Sequence, residues 1–185
     1  MKQIATIYLS IATLFMACGR PAPHTGEATE VAKKEWKTHE NSIYSIQYPK
    51  DWTLDETGKM GAVFVLFSPE LSDPTQFRVN INLITEDLSQ RNIGIDEYMQ
   101  LSEDALKEYI ADVKIIENKR ISRDKGVYHK LVFSAVNQGA KLKWEQHFHL
   151  KNQTAYVLTL TSDEANFDKF KDVGETVLQS FVLKD

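Results

Sequence analysis

The stretch "WEQHFHL" holds the most suggestive chemical spacing in this 185-residue chain. Glu145, His147 and His149 alternate along it. In an extended strand, alternate side chains share one face, so the three would lie side by side. Two imidazoles at that spacing can ligate one metal ion, with a carboxylate as the third ligand. Three ligands in a row along a nearly straight strand, however, converge poorly. Val132, Tyr156 and Leu158, the neighbours expected across the strands, better suit histidines held beneath a covering helix. Lys130, expected opposite His147, would repel a cation; with Lys141 and Lys143 it reads as a solvated edge. The expectation is no metal and no cofactor. Glu145, His147 and His149 are the ligands to test if one bound.

Other chemistry is sparse. There is no Walker loop, no dinucleotide glycine pattern, no GxSxG and no HExxH. Ser, His and Asp residues occur without meaningful spacing. No catalytic residue is assigned, and the chain reads as a non-enzyme. The net charge is −4 and no basic run exceeds two residues, so a nucleic-acid partner is not expected.

The single cysteine, Cys18, lies between an apolar run and a proline-containing stretch, "ATLFMACGRPAP". Lys2 is the only charge before Arg20. A positive start, a short apolar stretch and a small residue at its end make a secretory signal. The run is short for a bilayer span, which needs about 20 residues. "LFMAC" resembles the bacterial lipobox, although Phe15 stands where Leu is usual and Met16 is large. Cleavage after Ala17 would leave Cys18 as a lipidated N-terminus carrying a thioether-linked diacylglyceryl group and palmitate-type acyl chains. Several chains are needed for firm anchoring, since one binds only marginally. An uncleaved anchor and an ordinary signal cut near Ala17 are the alternatives. No second cysteine exists to form an internal disulfide.

The division that follows is a signal peptide at 1–17, a lipidated cysteine and flexible tether at 18–40, and a domain at 41–185. The tether, "GRPAPHTGEATEVAKKEWKTHE", is polar and has no apolar period except around Trp36. A coil of its length reaches roughly 25 Å. It would let the domain swing clear of a membrane.

Within the domain, Tyr44, Ile46 and Tyr48 alternate with Ile43, Ser45 and Gln47, which predicts a strand ending at Pro49. "GAVFVLFSPE" and "QFRVNINLITEDL" predict two more. Between these runs, "SPELSDPTQ" is dense in turn formers and reads as a plain connection or a recognition loop. Tyr98, Leu101, Ala105 and Tyr109, widened by Leu106 and Ile110, predict a helix near 94–111. "VKIIENKRISR" is the next strand. Gln138–Gly139 and Asn152–Gln153 are placed at two hairpin tips. That register pairs Phe133 with Trp144, His129 with Phe148, Lys130 with His147 and His149 with Tyr156. His129 then lies on the face opposite His147. "TAYVLTLTS" is apolar on both faces, as a central strand would be. Phe167, Phe170, Val173 or Gly174, Val177 and Phe181 predict a last helix near 163–179.

The opening "YSIQYPKDW", the helix "DEYMQLSEDAL" and the closing "YVLTLTSDEANFDKFKDVGETVLQSF" together resemble the PsbP-like superfamily over about residues 41–183. Tyr48, Pro49, Trp52, Ser180 and Phe181 carry the resemblance. By its own chemistry, Trp52 fills a core where the first strand turns, and Ser180 and Phe181 close the last helix on the sheet. The resemblance implies an α+β fold: an antiparallel sheet of about six strands flanked by helices on both faces, a PsbP-like α/β/α sandwich. It also implies a non-catalytic binding or assembly role, with no functional residue to carry over. The reading is thus an exported lipoprotein of a bacterial cell envelope, anchored through Cys18 at a periplasmic face or cell surface, with an unidentified protein partner. The alternative is a small-ligand or metal carrier using a pocket between sheet and helix.

Overall fold

Two tight turns set the main sheet. Gln138 and Gly139 have φ of 49° and 84°, and Asn152 and Gln153 have φ of 50° and 57°. Two successive left-handed residues make the hairpin turn whose twist matches that of the flanking strands. In the computed structural model, which describes residues 35–71, 77–123 and 126–185, these turns join β7 (Gly126–Asn137), β8 (Ala140–Lys151) and β9 (Thr154–Asp163). The pairing is the one expected: Phe133 opposes Trp144, His129 opposes Phe148, Lys130 opposes His147, and His149 opposes Tyr156.

The remaining strands are β1 (Trp36–Glu40), β2 (Tyr44–Pro49), β3 (Thr53–Asp55), β4 (Phe64–Phe67), β5 (Asn80–Asp87), β6 (Lys114–Arg123) and β10 (Val182–Leu183). They form two antiparallel sheets, ordered β1-β2-β10 and β3-β4-β5-β9-β8-β7-β6. Among the described residues, the expected sheet of about six strands is instead ten strands in two sheets. The short additions, β3 and β10, lack the length for a legible period. The strand β1 falls in the segment read as tether: Trp36 opposes Pro49 and Glu40 opposes Ser45. Its side chains are mostly exposed, so its order comes from backbone pairing to β2 rather than from an apolar pattern. Cys18, the stretch read as a signal peptide and residues 19–34 lie outside the described residues, as do residues 72–76 of the "SPELSDPTQ" loop.

Helix α1 (Ile95–Tyr109) and helix α2 (Phe167–Ser180) cover opposite faces of the large sheet. α1 buries Tyr98, Met99, Ser102, Ala105 and Leu106. Leu101 and Tyr109, expected in the stripe, are 37% and 62% exposed. The buried face is turned toward Met99 and Ser102, and the Tyr98 hydroxyl donates to Glu86 Oε2 at 2.9 Å. Under α1 lie Leu131, Phe133, Trp144, Phe148 and Val157. Under α2 and the small sheet lie Ile46, Trp52, Leu83, Leu158, Leu160 and Phe181. β9 is the middle strand of seven and feeds both cores, which explains its two apolar faces. The fold is the expected α+β antiparallel sheet between helices.

The two ends of the domain meet at α2. Gln47 N donates to Ser180 Oγ at 2.8 Å, and Val182 then opposes Ser45 on β2. Phe181 is buried, with its ring 5.4 Å from Tyr44 and 5.2 Å from His149. Trp52 is 3% exposed, in the core where β2 turns away. Among the described residues, no helix is long and apolar enough to cross a membrane.

Candidate functional site

Strand alternation brings Glu145, His147 and His149 to the α2 face of β8, as their spacing requires. Glu145 and His147 are both 0% exposed. His147 Nε2 donates to Glu145 Oε1 at 2.9 Å. His149 does not join them; its ring lies 5.2 Å from both Tyr128 and Phe181. Tyr128 stacks over His147 as well, at 4.5 Å. Among the described residues, no group of three His, Cys, Asp or Glu side chains is arranged to hold a metal ion.

The residue that completes this site is Lys130. It was expected on a solvated edge, yet it is 8% exposed. Its ammonium lies 3.2 Å from Glu145 Oε1 and 3.6 Å from Glu117 Oε2, and it donates to Glu175 Oε1. Three carboxylates from β6, β8 and α2 thus close on one cation from β7. Burial would lower the Lys130 pKa, but the bonds to Glu175 and Glu145 outweigh it and hold it above the ordinary lysine value. Of the other two lysines, Lys143 lies over the Phe167 ring at 4.3 Å, and only Lys141 is exposed.

Glu175 reaches Lys130 because of its neighbour. Gly174 is buried against β9, and a Cβ there would stand 2.5 Å from Leu160 Cδ2. With no side chain at Gly174, the helix backbone comes down onto the sheet and the next residue overhangs β7. Gly174 in the apolar stripe was the sequence signal for this approach; nothing local marks Glu117 or Glu175 as partners of Lys130.

Both histidines are held neutral. Burial pushes the His147 pKa down, opposed by its bond to Glu145. Burial lowers His149 to about 3, and protonation of the adjacent His147 would oppose its charging further. Three buried polar atoms here have no protein partner: Glu145 Oε2, His147 Nδ1 and His149 Nε2. His129 lies on the far face, as expected, where its Nε2 is 2.7 Å from Asp96 Oδ1 of α1.

Beside the ion cluster, a cavity of about 230 Å³ opens between β6, β7, β8 and the end of α2. Arg123, Tyr128, His149, Leu178, Gln179 and Phe181 line it. The site as a whole pairs a charge cluster, buried at Lys130 and Glu145 and partly open at Glu117 and Glu175, with a small aromatic recess. The first holds sheet and helix together. The second can accept a side chain or a small molecule.

The search of curated proteins finds no match to this sequence. Solved structures do match in fold. Cyanobacterial PsbP (CyanoP) from Synechocystis sp. PCC 6803 is 18% identical, covering 86% of this chain and 98% of its own, with a TM-score of 0.58. LpqN of Mycobacterium tuberculosis, described as involved in cell envelope biogenesis, is 12% identical over 83% of this chain and 93% of its own, with a TM-score of 0.58. The Saccharomyces cerevisiae Ran-binding protein Mog1p is 11% identical over 83% and 97%, with a TM-score of 0.58. The family described as PsbP-like protein matches residues 2–183, nearly the whole chain. By that match and by its two-helix antiparallel sandwich, the chain belongs to the PsbP-like protein family.

Proposed function

We propose that this chain is a non-catalytic, lipid-anchored binding protein of a bacterial cell envelope. Residues 1–17 direct export, acyl chains on Cys18 hold the mature chain on a membrane, and the domain docks a protein partner. The observation that carries the reading is the state of the buried Glu145–His147 pair. Glu145 and His147 are closed to solvent, and their shared oxygen is already engaged by Lys130. A reactive base needs reach to a substrate, and this pair faces protein. Among proteins of similar fold, LpqN is described as acting in cell envelope biogenesis and Mog1p as Ran-binding. The first description suits an envelope setting and the second a fold used for binding.

Intact-mass analysis of the membrane-extracted protein tests the anchor. The expected species is residues 18–185 plus acyl mass, and Cys18→Ser should release or misprocess the chain. An unmodified Cys18 or a retained Met1 would overturn it. Cross-linking in whole cells tests the partner. A discrete heterologous adduct, lost when the domain is unfolded by mutation but kept by a version anchored through another lipoprotein signal, is expected. Only uncross-linked monomer would count against it.

A further inference from the structure

The cavity beside the ion cluster has a consistent chemistry. Its wall is aromatic: Tyr128 and His149 stack at 5.2 Å, and Phe181 lies 5.2 Å from His149. Its polar lining consists largely of donors. The Arg123 guanidinium, exposed at the mouth, lies over the Tyr128 ring at 5.9 Å. One of its five N–H groups donates to Gln179 Oε1 at 3.0 Å. That bond occupies the Gln179 oxygen and leaves its NH₂ group to donate. Burial raises the Tyr128 pKa, which keeps the hydroxyl protonated. His149, held neutral, lines the space with its ring, while its Nε2 is buried away from solvent. Among the described residues, no carboxylate lines the space. Carbonyls at the end of α2 would compete as acceptors, but Leu178 O is bonded by Phe181 N and Val177 O by Ser180 Oγ.

Size narrows the ligand. At about 230 Å³ the cavity falls below the usual range of roughly 300–1,000 Å³ for drug-sized ligands. It suits one ring with a short substituent. A ring matches the aromatic wall, and a planar acceptor pair matches the guanidinium fork.

We propose that this cavity is a binding site for a small aromatic carboxylate, its ring against Tyr128, His149 and Phe181 and its carboxylate on Arg123. The proposal is independent of the protein partner and of the lipid anchor.

Fluorine NMR of 4-fluorobenzoate with the full chain in detergent micelles tests it. Line broadening that unlabelled benzoate reverses is expected, with a Kd of about 0.1–5 mM for a ligand this small. Benzamide, which keeps the ring and loses the charge, should compete at least about tenfold less well. Arg123→Gln should weaken binding by about tenfold or more, and Arg123→Lys by less, because it keeps the charge without the fork. Arg123 is exposed, so both variants should fold, and circular dichroism checks this. No reversible broadening at about 10 mM, equal competition by benzamide, or full binding in folded Arg123→Gln would each overturn the proposal.

Discussion

The ammonium of Lys130 lies 3.2 Å from Glu145 Oε1, and the Glu145 side chain is 1% exposed. The pair joins neighbouring strands in the interior, and Glu175 and Glu117 close over it from α2 and β6. Removing one member of such a pair leaves an uncompensated buried charge, which costs about 3–5 kcal/mol. Lys130→Met should therefore destabilise the domain by about 3 kcal/mol in urea titration. Lys130→Met/Glu145→Gln should recover more than half of that loss. Additive losses in the double variant would show that the two residues are not coupled.

Gly174 is where α2 touches the sheet. An added Cβ would meet Leu160 Cδ2 at 2.5 Å, Cδ1 at 3.1 Å and Cγ at 3.4 Å, and Leu160 is fully buried. In an open helix, Gly→Ala stabilises by about 1 kcal/mol. Here overpacking, at about 1–3 kcal/mol, should win. Gly174→Ala is expected to lower the thermal midpoint, and adding Leu160→Val should restore part of it. A raised midpoint in Gly174→Ala would show that α2 does not bear on β9 as described.

Acid should weaken the fold before the carboxylates titrate. His149 has a folded-state pKa of about 3 against an unfolded value of 6.5. Between those values the unfolded chain binds a proton that the native chain does not, so stability falls as pH falls below about 6.5. His149 alone should account for about 2 kcal/mol of loss between pH 7 and pH 5. His147, whose pKa is also lowered, adds to it in the same direction. His149→Phe, which keeps an aromatic ring in the stack, should flatten the dependence of urea stability on pH by about that 2 kcal/mol. An unchanged slope would mean that His149 titrates normally.

Zinc provides a separate check on the histidine strand. Glu145 Oε1 is shared by His147 and Lys130, so a cation there would have to displace an ammonium. Calorimetric titration of the full chain should give no submicromolar zinc binding that depends on His147 and His149. Such binding, lost in His147→Ala/His149→Ala, would promote the metal-carrier alternative.

The sequence determined what depends on neighbours along the chain. Period-two runs with two-residue turns at Gln138–Gly139 and Asn152–Gln153 specify the β7–β8–β9 register, because a one-residue slip would turn every apolar side chain to the wrong face. Helical spacing places α1 and α2, although α2 begins at Phe167 rather than near 163, since Asp163 still belongs to β9. The same alternation puts Glu145, His147 and His149 on one face and His129 on the other. Tertiary structure alone decided which charges are buried. Lys130 has the local pattern of an exposed strand lysine, and it is interior only because carboxylates more than ten residues away in either direction converge on it. The strands β1 and β10 likewise owe their order to β2, a partner supplied by chain closure rather than by their own periodicity. The cavity is formed where β6, β7, β8 and α2 end near one another, a meeting that no local spacing encodes.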